Sequence, residues 1–137
     1  MREVCAMQII TGFDYTVDTS KSVDAATAEV ERLAAEKGFK VLATHDVTAT
    51  LAGKGFNRPP MKIVEVCNAK YAYEVLRVDP KISLMLPCPI SVYEDNGKTY
   101  ISTMLPTIMA DMFPGEVVAS VAREVEAVVK DIINEAK

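Results

Sequence analysis

Between Leu84 and Lys98 the chain reads L-M-L-P-C-P-I-S-V-Y-E-D-N-G-K, and this stretch leaves the backbone few choices. Pro87 and Pro89 each fix φ at about −65°, remove an amide donor and press the preceding residue toward extended geometry. Cys88, between them, is therefore displayed on a rigid backbone. Ile90 and Val92 alternate with Ser91 and Tyr93, the period of a half-buried strand, and the strand runs into Asp95-Asn96-Gly97-Lys98. Asn-Gly supplies the positive φ angles of a type I′ turn, so residues 89–94 and 99–104 are predicted to pair as a hairpin.

The other elements must fit around that hairpin. From Met7 to Asp18, Met7, Ile9, Phe13, Tyr15 and Val17 alternate with mostly polar neighbours, which predicts a first strand with a bulge at Gly12. Ser20 or Ser22 then offers a helix cap, Asp24 suits the first turn, and Val23, Ala26, Val30, Leu33 and Ala34 form one stripe ending at Gly38. A second strand spans Phe39 to Val47, with the single histidine, His45, on its apolar face. Thr48 to Pro60 reads as a connector with one helical turn near Leu51, and Met61 to Cys67 as a third strand. Asn68 caps a short helix that stops before Asp79-Pro80, Pro106 to Pro114 is read as a loop, and Val117, Val121, Val125, Val128 and Ile132 mark a long final helix. The result is a single α+β domain over residues 1–137 in the order βαββαββα. Its expected architecture has two layers, a five-stranded largely antiparallel sheet and three helices mostly on one face.

Composition narrows the function. A net charge of −4 and a pI near 5.0 lack the clustered Lys and Arg that a phosphate backbone requires, so nucleic acid is excluded. The residues after Met1 form no apolar leader, and no apolar run approaches the roughly 20 residues that span a bilayer, which predicts a cytoplasmic protein without membrane contact. Three cysteines, Cys5, Cys67 and Cys88, without close spacing suit reduced thiols better than a disulfide framework or a zinc ribbon.

The motif V-x-V-C-N-A in the third strand, Asp79-Pro80 after the second helix, and L-x-L-P-C-P-I-x-V-Y-E, from Leu84, in the fourth strand together resemble the DUF302 family of uncharacterised proteins. The resemblance covers nearly the whole chain. It implies a small α+β domain with one sheet and helices packed on it, and it implies no reaction and no catalytic residues. Where the family commonly carries Asn-Pro after the cysteine, this chain has Asn68-Ala69, so its helix starts without a proline at the first position.

Candidate chemistry centres on the thiols. Cys67 stands just before a helix N-terminus, where the positive end of the macrodipole favours thiolate. With Cys88 nearby, the pair could bind a soft metal, carry a persulfide or form a transient disulfide, with His45 as third ligand or base. Free cysteines also fill tight apolar places, and a lone histidine on an apolar strand face is commonly a hydrogen-bonded core residue. Met109 and Met112 raise copper(I) or haem ligation against the plainer role of adaptable packing. Lys54 and Arg58 could hold an anion or simply be solvated. Tyr71, Tyr73, Tyr93 and Tyr100 could line a pocket or pack across strands. Glu65, Asp79, Asp95 and Asp111 do not converge as an acid and base.

These readings favour a non-enzymatic small-ligand-binding or assembly module, with no metal assigned and the cofactor unknown. The alternatives are a thiol redox or sulfur carrier using Cys67 and Cys88, and a metal or haem binder. A homodimer is expected, because Ile10, Leu42, Val64 and Val66 occupy alternate strand positions that three helices would leave open. Ile108, Met109, Met112 and Phe113 add an apolar loop as the candidate interface.

Overall fold

The computed structural model describes residues 12–137. The Met7–Thr11 part of the expected first strand, Ile10 and Cys5 lie outside the described residues. Gly12, with φ of 69°, precedes β1 (Asp14–Thr19) instead of bulging within it. In α1 (Val23–Glu36) the Ser22 hydroxyl accepts from the Ala25 amide at 3.1 Å, and Gly38 takes the left-handed position after the last turn with φ of 85°. β2 (Lys40–Asp46) ends where the Asp46 carboxylate accepts from the Ala49 amide at 2.9 Å and caps a short α2 (Val47–Ala52).

β3 (Met61–Cys67) leads into α3 (Ala69–Val78), whose first turn is capped by Asn68 through the Tyr71 amide at 3.2 Å. The cap forms without the first-position proline. Asp79 then caps a 3-10 helix over Pro80–Met85, so β4 (Cys88–Asp95) starts at the cysteine and not at Leu84, which is 86% exposed. The Leu86–Pro87 peptide bond is cis. Asn96 and Gly97, with φ of 51° and 79°, turn β4 into β5 (Lys98–Met104) as the Asn-Gly pair predicts. The expected loop from Pro106 to Pro114 contains a short α4 (Ile108–Met112), and α5 (Glu116–Ala136) closes the chain. Among the described residues the three expected helices, α1, α3 and α5, are thus joined by two short α-helices and a 3-10 helix. No helix among the described residues is long and apolar enough to cross a membrane.

The five strands pair antiparallel throughout, in the order β1-β5-β4-β3-β2. α1 carries the chain from β1 at one edge to β2 at the other, and α5 packs against α1, α3 and β1 on the same side. Cross-strand partners share a face. Val17, Ile101, Val92, Ile90, Val64 and Val66 therefore point together into the helices, and Val64, Val66, Ile90, Val92 and Ile101 are fully buried. This corrects the placement of Val64 and Val66 on an uncovered face. Every residue from Ile63 to Val66 except Glu65 is apolar, so alternation alone could not choose their side; pairing with Ile90 and Cys88 does.

β2 carries the irregularity. Its register against β3 shifts between Val41 and Ala43, so Val41 opposite Val66 and Thr44 opposite Val64 both face the helices. The Thr44 hydroxyl accordingly donates to Glu31 of α1 at 2.5 Å. His45, one residue on, is turned to the opposite face beside Ile63, and Leu42 is left 50% exposed.

Candidate functional site

The start of β4 and the end of β3 meet where α3, α4 and α5 leave a cleft. Cys88 is opposite Val66 on the ladder, Cys67 ends β3 at the next residue, and both residues line the same space. Phe39, Val75, Val121, Ala122 and Val125 form apolar walls, and Leu86, Pro89, Leu105 and Pro106 lie around them. No Asp, Glu, His, Lys or Arg is among the described lining residues. About 50 Å³ of the cleft admits the centre of a water molecule. One water needs about 10–15 Å³ on that measure, so the cleft holds a few waters or a comparably small guest.

Hydrogen bonds fix the rim. The Asn68 side chain donates to the Gly38 carbonyl at 3.0 Å while accepting from Tyr71, which ties the start of α3 to the turn after α1. The Tyr71 ring packs on Phe39 with centroids 6.3 Å apart, and its hydroxyl donates to Glu124 of α5 at 3.2 Å. On the far side the Thr107 amide and hydroxyl both donate to Glu126 at 3.1 and 2.7 Å. A carboxylate from α5 thus takes the capping role that α4 lacks from its own side chains.

The thiols are not activated. Burial raises the Cys67 pKa, and burial followed by the proximity of Cys67 pushes Cys88 up to about 11. The macrodipole argument for a Cys67 thiolate fails locally: Asn68 is the N-cap and its own side chain takes the Tyr71 amide, which places the thiol one residue outside the helix. Both cysteines are free.

His45 does not join them. It is 54% exposed on the other face of the sheet, where its Nε2 lies 3.3 Å from Glu65 Oε1. Among the described residues no three of His, Cys, Asp and Glu come together as a metal site. Arg58 folds back on the Pro59 carbonyl at 2.9 Å, and Lys54 is exposed on the connector. Tyr93 and Tyr100 stack at 5.6 Å on the face away from the helices, which is the cross-strand packing their spacing allowed, and Tyr73 carries Arg77 over its ring on the surface. Only Tyr71 of the four tyrosines lines the cleft.

The apolar stretch before α5 divides. Met109 is 6% exposed within the core and lines the cleft, Phe113 packs partly buried against the core, Ile108 is half-buried and Met112 is 62% exposed. Met109 therefore belongs to this chain's own interior, which corrects its assignment to an outer interface. Sequence reasoning named Tyr71 as a possible pocket residue but missed Met85, Met104 and Val125 as lining residues of the cleft, because nothing in their spacing marks them. The one available signal was the Asn68 cap, which locates the end of β3.

A family profile described as a domain of unknown function, DUF302, matches residues 15–136. Among solved structures, the crystal structure of an uncharacterized conserved DUF302 protein from Bacillus stearothermophilus matches with a TM-score of 0.85 at 31% identity, over 93% of this chain and 100% of that one. No curated protein matches the chain.

Proposed function

The chain belongs to the DUF302 family, and we propose that within this fold it acts as a non-enzymatic module that holds a small ligand in the cleft between β4, α3 and α5. The observation that carries this reading is the cleft lining itself: apolar walls, no charged side chain among the described lining residues, and two thiols whose pKa burial raises. Catalysis by proton transfer needs a group whose pKa lies near the working pH within reach of the substrate, and the lining offers none. Binding needs only a concave, largely apolar space with a few directed polar groups. The redox or sulfur-carrier alternative is less supported, because a nucleophilic sulfur requires a lowered pKa and these are raised.

Xenon tests this directly, since it enters apolar cavities without needing a polar partner. Amide shifts under xenon pressure are expected to cluster around Ala72, Leu105 and Ala122 and to vanish in Ala72→Phe, which fills the cleft from its half-buried rim. Shifts scattered over the surface, or unchanged in that variant, would remove the cleft as the binding site. Assembly is a separate reading. A homodimer, where formed, is proposed to use Met112 and its exposed surroundings, since Met109 is committed to the core.

A further inference from the structure

Sulfur is not spread evenly through this protein. Three cysteines and seven methionines occur in 137 residues, yet five of the eighteen residues lining the cleft carry sulfur: Cys67, Met85, Cys88, Met104 and Met109. They arrive from five segments, the end of β3, the end of the 3-10 helix, the start of β4, the end of β5, and α4. Space-filling does not explain the concentration. Among the described residues the buried apolar core is otherwise Val, Ile, Ala, Leu and Phe, and its one sulfur-bearing member there, Met109, is a residue of the cleft.

Resting on the reading of the cleft as the ligand site, we infer that its ligand is a soft monovalent cation, Cu(I) in a cell and Ag(I) as its analogue, bound by the Cys88 thiolate with thioether support from Met85 and Met109 and with the Cys67 thiol beside it. Thiolate and thioether are the donors that select such ions. Charge decides the valence. No acidic, basic or imidazole group is among the described lining residues, so ion and ligands balance among themselves where a residual charge is heavily penalised. One thiolate with a monovalent cation is neutral, and thioethers add donors without charge. A divalent zinc ion needs two thiolates for neutrality and then further thiolate, imidazole or carboxylate donors, which the lining lacks. The narrow free space also suits a bare ion better than an organic molecule. The step balances simply: the S–H bond of Cys88 is replaced by a sulfur–metal bond, one proton leaves to solvent, and no electron is transferred.

The test is an anaerobic titration of the reduced full-length protein with Cu(I) in competition with bathocuproine disulfonate, with proton release followed in weak buffer. Withdrawal of one equivalent and release of about one proton are expected. Cys88→Ala should abolish competition. Met109→Leu keeps the volume and hence the fold, and should weaken binding about tenfold or more through the loss of one soft donor. Xenon shifts at the cleft in a protein that never competes with the chelator would overturn the cation while leaving the binding reading in place; silence in both experiments would overturn both. Equal Cu(I) affinity in the parent and both variants would put the ion elsewhere and also overturn the inference.

Discussion

The hydroxyl of Thr103 donates to the main-chain carbonyl of Pro89 at 2.9 Å, across the β4–β5 pair at the edge of the cleft. Pro89 has no amide to give the ladder, so a side chain from the neighbouring strand supplies a bond at a point where the main chain is short of one. Thr103→Val removes that donor inside the fold, and urea denaturation should show a loss of about 1 kcal/mol. Thr27 is the control. Its hydroxyl is buried in α1 without a partner among the described residues, so Thr27→Val should leave stability unchanged or raise it by up to about 1 kcal/mol. Equal losses at the two sites would show that the hydroxyls do not differ in their pairing.

Glu126 ties α4 to α5. Burial pushes its carboxyl up, but the hydroxyl and amide of Thr107 and the Lys130 ammonium together outweigh that and hold it below its ordinary value of 4.5. A depressed carboxyl contributes stability above its unfolded pKa and loses it as pH falls through the folded one. Thermal unfolding of Glu126→Gln should therefore trail the parent at pH 6, with the gap narrowing below about 4.5 and closing in stronger acid. A gap independent of pH would assign the loss to packing alone.

Cys88 carries the opposite sign. Its thiol keeps the proton to about 11 in the fold against 9.0 in an ordinary setting. Between those values the unfolded chain ionises and the folded chain does not, so stability falls as pH rises through the window. The loss is on the order of 2–3 kcal/mol by its upper end. Cys88→Ala should lack this part of the alkaline slope. Identical slopes in parent and variant would show that the thiol is not held protonated.

Met109 and Met112 lie three residues apart with opposite fates. Met109→Asp puts a carboxylate into the core and should cost at least about 4 kcal/mol or prevent folding. Met112→Asp, on the surface, should stay within about 0.5 kcal/mol of the parent in dilute solution. Light scattering on the same samples reads assembly, and a mass that drops only in Met112→Asp would place a self-contact at that surface.

The parts of this fold that were legible in the sequence are those fixed within a few residues. Asn96-Gly97 dictates its turn because few other residues accept positive φ, and Ser22 with Gly38 brackets α1 for the same kind of local reason. The β2 irregularity was not legible, because strict alternation was read straight through Leu42, and that single slip put His45 on the wrong face. The cleft was half legible: Cys67 and Cys88 stood out, but their shared space is assembled from segments that only tertiary packing brings together. Desolvation, also a tertiary quantity, then reversed the expected effect of the α3 terminus on Cys67.

The strand order has a kinetic side. β2, β3, β4 and β5 follow one another in sequence and pair with their neighbours, whereas β1 reaches β5 from nearly the opposite end of the chain. Closing that last pair carries the larger loop entropy, so the four-stranded meander is the natural early unit and β1 the late arrival. The same asymmetry makes the β1 edge a seam: its amides can exchange with solvent through a partial opening that leaves β3 and β4 intact. The thiol-bearing ends of β3 and β4 are separated from β1 by β5 and are expected to keep their protection through such an opening.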